Sequence, residues 1–206
     1  MKKPAIEFIF DFGSPNAYLV LKVLPLIANW HGAEIKLVPC LLGGIFKLTG
    51  NQAPLFAFAG IKGKLEYDRL EMQRFADRNE LRAFRMNPHF PINTLTLMRG
   101  MVAAQHLGIT DQYLGVVLAG MWEDGAKMDD PEVLVARLNA GGIDSGRLLE
   151  FANSPDIKAE LAANTEAAVA RGAFGIPTFF VGDEMFFGKE RIGQIEELLN
   201  KLAAAQ

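Results

Sequence analysis

Strand-forming segments occur only near the two ends of this 206-residue chain, and this placement restricts the fold more than any other feature. Residues 5–12 are aromatic and β-branched with few charges, and residues 35–39 form a shorter apolar run. Strand character returns at residues 178–181 and 185–187, which are separated by a Gly-Asp-Glu break typical of a hairpin turn. We therefore predict that the two ends of the chain together supply one four-stranded sheet.

The segment between the first two strands has the spacing of a helix. Apolar residues recur at a helical period in residues 15–31, and Gly32 is placed to end that helix. Strand, helix and strand within the first 40 residues predict a βαβ unit with a right-handed crossover.

The middle of the chain is predicted to be helical throughout, and one more helix should follow the hairpin. Two of these helices open with a capping side chain followed by proline, at Asp130-Pro131 and Ser154-Pro155. The other predicted helices cover residues 62–78, 94–107, 111–122 and 191–202.

The order βαβ, helical block, ββα predicts an α/β fold that resembles a thioredoxin domain interrupted by a large all-helical insertion. We predict a discontinuous thioredoxin-like domain in residues 1–42 and 173–206. The helical insertion domain then occupies residues 43–172.

Composition excludes several classes of function. The chain has 21 basic and 24 acidic residues, a net charge of −3, so neither a nucleic acid nor an anionic membrane surface is an expected partner. No apolar stretch approaches the roughly 20 residues that a membrane helix needs. The N-terminal Met-Lys-Lys-Pro is unlike a signal peptide, and the single cysteine, Cys40, can form no intrachain disulfide. We expect a cytoplasmic protein.

Ser14 and Pro15 follow the first strand and open the first helix. Unpaired N–H groups and the dipole at a helix N-terminus favour negative charge. Ser14 can therefore cap the helix, or it can hold a thiolate or another anion of a ligand. A thioredoxin-type redox site has Cys-x-x-Cys at this place. Residues 14–17 read Ser-Pro-Asn-Ala, which excludes disulfide exchange through this motif.

A second motif, Phe174-Gly175-Ile176-Pro177-Thr178, leads into the third strand. In thioredoxin-like folds the proline at this point is cis. The residue before it offers its backbone N–H and C=O to an extended, peptide-like ligand, which is strand addition.

A third motif, Phe187-Gly188-Lys189-Glu190-Arg191, lies at the start of the last helix. Gly188 permits close backbone approach, and the free N–H groups there could take a ligand carboxylate. Glu190 could hold a ligand ammonium. This combination suits the α-amino acid end of a ligand, and with the other two motifs it describes glutathione, γ-Glu-Cys-Gly.

The chain resembles the family of kappa-class glutathione transferases and 2-hydroxychromene-2-carboxylate isomerases, which are relatives of the periplasmic disulfide oxidoreductases. The similarity spans essentially the whole sequence. The residues that carry it are Asp11-Phe12-Gly13-Ser14-Pro15 with Tyr18, Leu42-Gly43-Gly44-Ile45 through Gly50-Asn51, and the motifs beginning at Phe174 and Phe187.

The resemblance implies a role for individual residues. Ser14 would be the catalytic residue that hydrogen-bonds the glutathione sulfur. The remaining glutathione contacts would be Asn51, Ile176, Pro177, Phe187, Gly188, Lys189 and Glu190. Phe90 lies near an aromatic substrate contact of the isomerases, and Lys47 and Lys64 are candidate contacts for a substrate anion. The family usually has Ser or Asn followed by Asp where this chain has Lys189-Glu190.

The resemblance also implies a reaction and a set of partners. We expect glutathione as cofactor, an aromatic α,β-unsaturated ketoacid as substrate, cis–trans isomerisation by reversible thiolate addition, and a homodimer. In the isomerases the reaction interconverts 2-hydroxychromene-2-carboxylate and trans-o-hydroxybenzylidenepyruvate. A kappa-type transferase or peroxidase, and a non-catalytic peptide-binding module, are the alternatives.

Several other side chains have structural interpretations. Phe8, Phe10, Phe12, Phe179 and Phe180 are expected in the core, and Cys40 is expected to be a small buried residue. Met121 and Trp122 are interpreted first as helix core. The three histidines have no ligand spacing, so no metal is expected.

Overall fold

Four strands form one mixed sheet in the order β2-β1-β3-β4 in the computed structural model, which describes residues 3–204. The strands are β1 (Ala5–Phe10), β2 (Glu34–Pro39), β3 (Thr178–Val181) and β4 (Glu184–Phe187). β1 pairs in parallel with β2 and antiparallel with β3, and β4 pairs antiparallel with β3. The predicted meeting of the two chain ends in one sheet is therefore confirmed.

The two inner strands hold the aromatic core. Phe8 lies opposite Phe179 in the β1–β3 register, and their ring centroids are 4.9 Å apart. The five phenylalanines expected in the core are all buried, as predicted. β4 is an edge strand, and its side chains are mostly exposed.

Helix α1 (Pro15–Trp30) connects β1 to β2, as the βαβ pattern predicts. Ser14 is its N-cap and Pro15 its first helical residue, where a missing N–H removes no hydrogen bond.

The helical block contains more helices than the sequence pattern resolves. The helices of the block are α2 (Leu42–Thr49), α3 (Pro54–Ala57), α4 (Lys64–Arg78), α5 (Leu95–His106), α6 (Thr110–Trp122), α7 (Pro131–Ala140), α8 (Ser145–Ala152) and α9 (Pro155–Ala170). A 3₁₀ turn at Lys189–Arg191 and helix α10 (Ile192–Ala204) close the described chain. The short helices α2, α3 and α8 were not individually predicted, because a run of four to eight residues shows little periodicity.

Helix α5 is the centre of the helical block, and most of its side chains are buried. It packs against α6, α8 and α9. Met121 and Trp122 at the end of α6 are fully buried, and the Trp122 ring nitrogen donates to the Phe12 carbonyl oxygen at 2.9 Å. That hydrogen bond ties the helical block to the end of β1.

The division into residues 1–42 with 173–206 and residues 43–172 stays a prediction. Its terminal residues 1–2 and 205–206 lie outside the described part of the chain. Among residues 3–204, no helix combines the length and apolar character needed to cross a membrane.

The close packing of α5 on α6 predicts opposite effects for one substitution at two glycines. A Cβ at Gly100 would overlap the hydroxyl of buried Tyr113, whereas a Cβ at Gly115 would meet no atom within 4 Å. Gly100→Ala should lower the free energy of unfolding by about 1–3 kcal/mol through overpacking. Gly115→Ala should raise it by up to about 1 kcal/mol through helix propensity. Chemical denaturation measures both, and shifts of the same sign would contradict this packing.

Candidate active site

A cleft of about 670 Å³ opens where the loop after β1, the segment before β3 and residues 187–190 face the helical block. The loop after β1, residues 174–177 and the start of the 3₁₀ turn form one side of it. Helices α2, α3 and α4 form the other side. The pairing of β1 with β3 brings the first two sequence motifs together, and the pairing of β3 with β4 brings the third motif beside them.

Ser14 is buried at the base of the cleft and makes two hydrogen bonds. Its Oγ accepts from the backbone N–H of Ala17 at 3.2 Å, which is the N-cap bond. The same hydroxyl donates to the carbonyl oxygen of Ile176 at 3.0 Å. Ser14 is therefore a helix cap. Its hydroxyl proton is directed at the backbone of Ile176, beside which a peptide-like ligand would bind.

The Ile176-Pro177 peptide bond is cis, as expected for this position in a thioredoxin-like fold. The Ile176 carbonyl oxygen takes the Ser14 hydroxyl, but no acceptor within residues 3–204 takes the Ile176 N–H. The Pro177 carbonyl oxygen accepts from the Gly188 N–H at 3.0 Å, which joins the second and third motifs. One backbone donor thus remains open to a ligand in the cleft.

Two aromatic rings cover this part of the cleft. The ring centroids of Phe174 and Phe187 lie 4.4 Å apart, and both residues are partly exposed. A Cβ at Gly175 would lie 2.9 Å from the Phe187 ring, so glycine is needed there for this packing. Gly188 has a φ of 94°, a backbone conformation that glycine adopts readily.

Lys189 and Glu190 form an ion pair in the lining of the cleft. The Lys189 side chain is only 4% exposed, whereas that of Glu190 is 56% exposed. The Lys189 Nζ also lies 5.9 Å from the ring centroid of Phe75. A buried ammonium beside a solvent-accessible carboxylate presents one positive and one negative group to a ligand.

Helix α4 contributes further charges to the same cleft. Lys64 pairs with Asp68 one turn later, and its Nζ lies 4.9 Å from the ring centroid of Phe58. Arg69 and Glu71 also line the cavity. Of the two α4 cations that line the cleft, Lys64 and Arg69, only Arg69 forms no ion pair with a described residue.

An apolar wall completes the cleft. The Phe90 ring lies 5.9 Å from that of buried Trp122, which fixes it from behind. The other apolar members of this wall are Leu42, Phe46, Met72 and Met86. Asn51 lies at the rim, just beyond the left-handed Gly50 that ends α2.

The structure brings together all the site residues proposed from the sequence except Lys47. Ser14, Asn51, Lys64, Phe90, Ile176, Pro177, Phe187, Gly188, Lys189 and Glu190 all line this cleft. Lys47 instead lines a separate cavity on the opposite side of α2. The sequence identifies the segment that carries Lys47, but the phase of the short helix α2 decides which face this side chain occupies.

Some lining residues were missed. Asn16 borders the cleft, and its side-chain Oδ1 is buried without a hydrogen-bond partner among residues 3–204. Asn16 is the third residue of the stretch compared with Cys-x-x-Cys, and that position was the available signal. Arg69 and Glu71 of α4 were not proposed as site residues, because sequence alone does not show that α4 folds over a cavity.

Asp11 holds two segments of the site together through hydrogen bonds. Its fully buried carboxylate accepts from the Gly13 N–H at 2.8 Å and from the Leu42 N–H at 2.7 Å. Burial raises the pKa of this carboxyl, and the two backbone donors oppose that rise. Asp11 therefore joins the loop that carries Ser14 to the start of α2.

Cys40 is buried, as predicted, and takes no part in the cleft. Burial, with the nearby Asp11 charge, raises the pKa of its thiol to about 12, so the reactive thiolate is scarce at neutral pH. Within residues 3–204, no three His, Cys, Asp or Glu side chains lie close enough together to hold a metal ion.

Comparisons with known proteins agree with this architecture. A family model described as a DSBA-like thioredoxin domain matches residues 5–200. The chain is 28% identical over 193 residues to a 2-hydroxychromene-2-carboxylate isomerase of Pseudomonas sp. (strain C18), which is 93% of this chain and 88% of that protein. It is 26% identical over 215 residues to human glutathione S-transferase kappa 1, which is 95% of this chain and 91% of that protein.

Solved structures give the same result. A 2-hydroxychromene-2-carboxylate isomerase superposes with a TM-score of 0.82 at 26% identity, covering 97% of this chain and 96% of the other. A probable DsbA oxidoreductase from Streptomyces coelicolor superposes with a TM-score of 0.69 at 18% identity, covering 98% of this chain and 91% of the other. The second likeness shows the fold alone. The chain is thus related to isomerase and glutathione transferase enzymes.

The position of Asp11 predicts a large loss of stability on its removal. Asp11→Ala should lower the free energy of unfolding by about 2 kcal/mol, because it leaves two partly buried N–H groups without acceptors. Asp183→Ala, in the exposed turn between β3 and β4, is the matched control and should change it by less than about 0.5 kcal/mol. Equal unfolding midpoints in urea for the two variants would show that the Asp11 bonds do not hold this loop.

Proposed function

The chain belongs to the DSBA-like thioredoxin family, and from that premise we propose that it is a glutathione-dependent isomerase of an aromatic α,β-unsaturated ketoacid. Relatives named 2-hydroxychromene-2-carboxylate isomerase and glutathione S-transferase kappa support an enzyme of this class. One observation carries the proposal: a capping hydroxyl, an open backbone N–H and a Lys–Glu pair line the same cleft.

The residues fit glutathione. The open Ile176 N–H would bind the cysteinyl part of the tripeptide, as in strand addition. Glu190 would take the ammonium of the γ-glutamyl end, and Lys189 would take its carboxylate. The ligand head therefore inserts into an ion pair that already exists, so each charge exchanges one partner for another.

When bound, glutathione supplies a thiolate that adds reversibly to a conjugated double bond, so that the resulting single bond can rotate. Ser14 stabilises that thiolate by turning its hydroxyl proton away from the Ile176 carbonyl oxygen. A charge-assisted hydrogen bond contributes about 1.5–3 kcal/mol, which lowers a thiol pKa by roughly one to two units. The N-terminus of α1 adds to the effect through its dipole.

Other residues of the cleft lining suit the proposed substrate. Phe90 and the apolar wall would pack against an aromatic ring. Arg69 would pair with the ketoacid carboxylate, since the Lys64 cation is already neutralised by Asp68. We therefore assign the substrate-anion contact to Arg69, where the sequence had suggested Lys64. Lys64, paired with Asp68, would instead hold the α4 wall of the cleft in place.

A kappa-type transferase is the second candidate, because the same thiolate would serve it and a human kappa transferase is among the relatives. The product separates the two reactions. An isomerase regenerates free glutathione, whereas a transferase consumes it. Chromatography of a benzylidenepyruvate reaction, with free thiol measured before and after, distinguishes the two.

Ser14→Ala should lower kcat at saturating glutathione by about tenfold or more and raise the pKa of the bound thiol by roughly one to two units. Turnover and thiolate absorbance as a function of pH measure the two effects. Ser154→Ala is the matched control, because Ser154 also caps a helix whose first residue is proline but lies outside the cleft. It should lose only about 1 kcal/mol of stability. If Ser14→Ala keeps turnover within about twofold of wild type, the role assigned to Ser14 is wrong.

Glu190→Gln should weaken glutathione binding about tenfold in calorimetric titration, because the ligand ammonium loses its carboxylate partner. N-acetylglutathione, which lacks that ammonium, should bind wild type and Glu190→Gln with similar affinity. Glu184→Gln on the exposed strand β4 is the control and should bind glutathione normally. Undiminished glutathione binding by Glu190→Gln would remove Glu190 from the ligand site.

A further inference from the structure

A second cavity, of about 260 Å³, lies behind helix α2. Helices α2, α5 and α9 enclose it, and Thr165 closes its base by bonding the Leu41 N–H at 3.0 Å. α2 is the wall between the two cavities. Leu42 and Phe46 face the first cleft, while Gly44, Lys47 and Leu48 line the second. The second cavity is therefore separate from the site proposed for glutathione.

Arg99 is the unusual residue of this cavity. It extends from α5 between the buried residues Met98 and Gly100, and it is itself only partly exposed. Its Nε is buried without a hydrogen-bond partner, and its guanidinium pairs with no carboxylate among residues 3–204. Buried charged donors without partners are costly, so such a group in a cavity indicates a partner from outside the chain.

The charge around Arg99 strengthens this indication. Lys47 and Lys158 line the same cavity, and neither is ion-paired within the described residues. Glu166 is the single carboxylate in the lining. Positive charge is thus concentrated here in a chain whose net charge is −3, which favours an anionic ligand.

The rest of the lining is apolar. Leu41, Leu48, Leu95 and Leu161 surround the cations, so the cavity suits a ligand with a hydrocarbon body as well as a charge. A planar guanidinium matches a carboxylate with two parallel hydrogen bonds. We propose that this cavity is a second ligand site, which binds a small organic carboxylate through Arg99, Lys47 and Lys158.

Calorimetric titration with benzoate tests the proposal, because benzoate combines one carboxylate with one small apolar ring. Saturable binding is expected, with a loss of about tenfold in Arg99→Gln and about threefold in Lys158→Gln. Lys158 is exposed, so its variant should fold normally even if Arg99→Gln is unstable. Lys201→Gln, which removes an exposed helical lysine outside both cavities, should bind benzoate like wild type.

Two further measurements show whether binding requires the carboxylate charge and which of the two cavities holds benzoate. Benzamide, the uncharged counterpart, should bind at least about tenfold more weakly than benzoate. Benzoate can also enter the first cleft, where Arg69 is proposed to pair with a carboxylate, so the titration is fitted to two classes of site: Arg99→Gln should weaken one class, and Arg69→Gln should leave that class unchanged. The proposal is overturned by unaltered binding in both Arg99→Gln and Lys158→Gln, by loss of binding in Arg69→Gln alone, or by no binding at about 10 mM benzoate. None of these results depends on glutathione, so they leave the proposed isomerase activity to its own tests.

Discussion

The antiparallel pairing of β1 with β3 is the constraint on which the site depends. It joins segments separated by about 170 positions in the chain, with Phe8 opposite Phe179 and Ile9 opposite Thr178. Once this register is set, the residues after β1 and before β3 must lie side by side. The Ser14 hydroxyl then reaches the Ile176 carbonyl oxygen, while the β3–β4 pairing brings the Gly188 N–H to the Pro177 carbonyl oxygen. Sheet pairing, and no local motif, assembles the cleft.

Ser14 shows how structure and chemistry share one atom. Its Oγ already accepts the capping bond from the Ala17 N–H, so this lone pair is held in place without a ligand. Only the hydroxyl proton is free to move, from the Ile176 carbonyl oxygen to a ligand sulfur. The cap therefore fixes the position of the oxygen before any ligand binds, and such preorganisation is what a stabilising donor needs.

Most of the strands, the helix starts and the main residues of the cleft could be predicted from sequence, because the patterns that indicate them are local. Strand composition, the Ser-Pro and Asp-Pro helix starts, and the Phe-Gly motifs each follow from a few adjacent residues. Lys47 was misplaced because an eight-residue helix does not show which face meets which neighbour. Arg69 and Glu71 of α4 were not predicted to line the cleft, since a cavity depends on tertiary packing. Arg99 gave no signal at all, because its lack of a partner exists only in three dimensions.

Helix α2 is shared by the two cavities, because its residues line both of them and its first N–H is held by Asp11. The Leu42 N–H is held by Asp11, whose other oxygen holds the Gly13 N–H beside Ser14. The adjacent Leu41 N–H is held by Thr165 of α9. Any ligand that shifts α2 from one side must therefore change these bonds and the cavity on the other side. Binding linkage is reciprocal, so any effect that an occupant of one cavity has on affinity in the other is returned by the same factor.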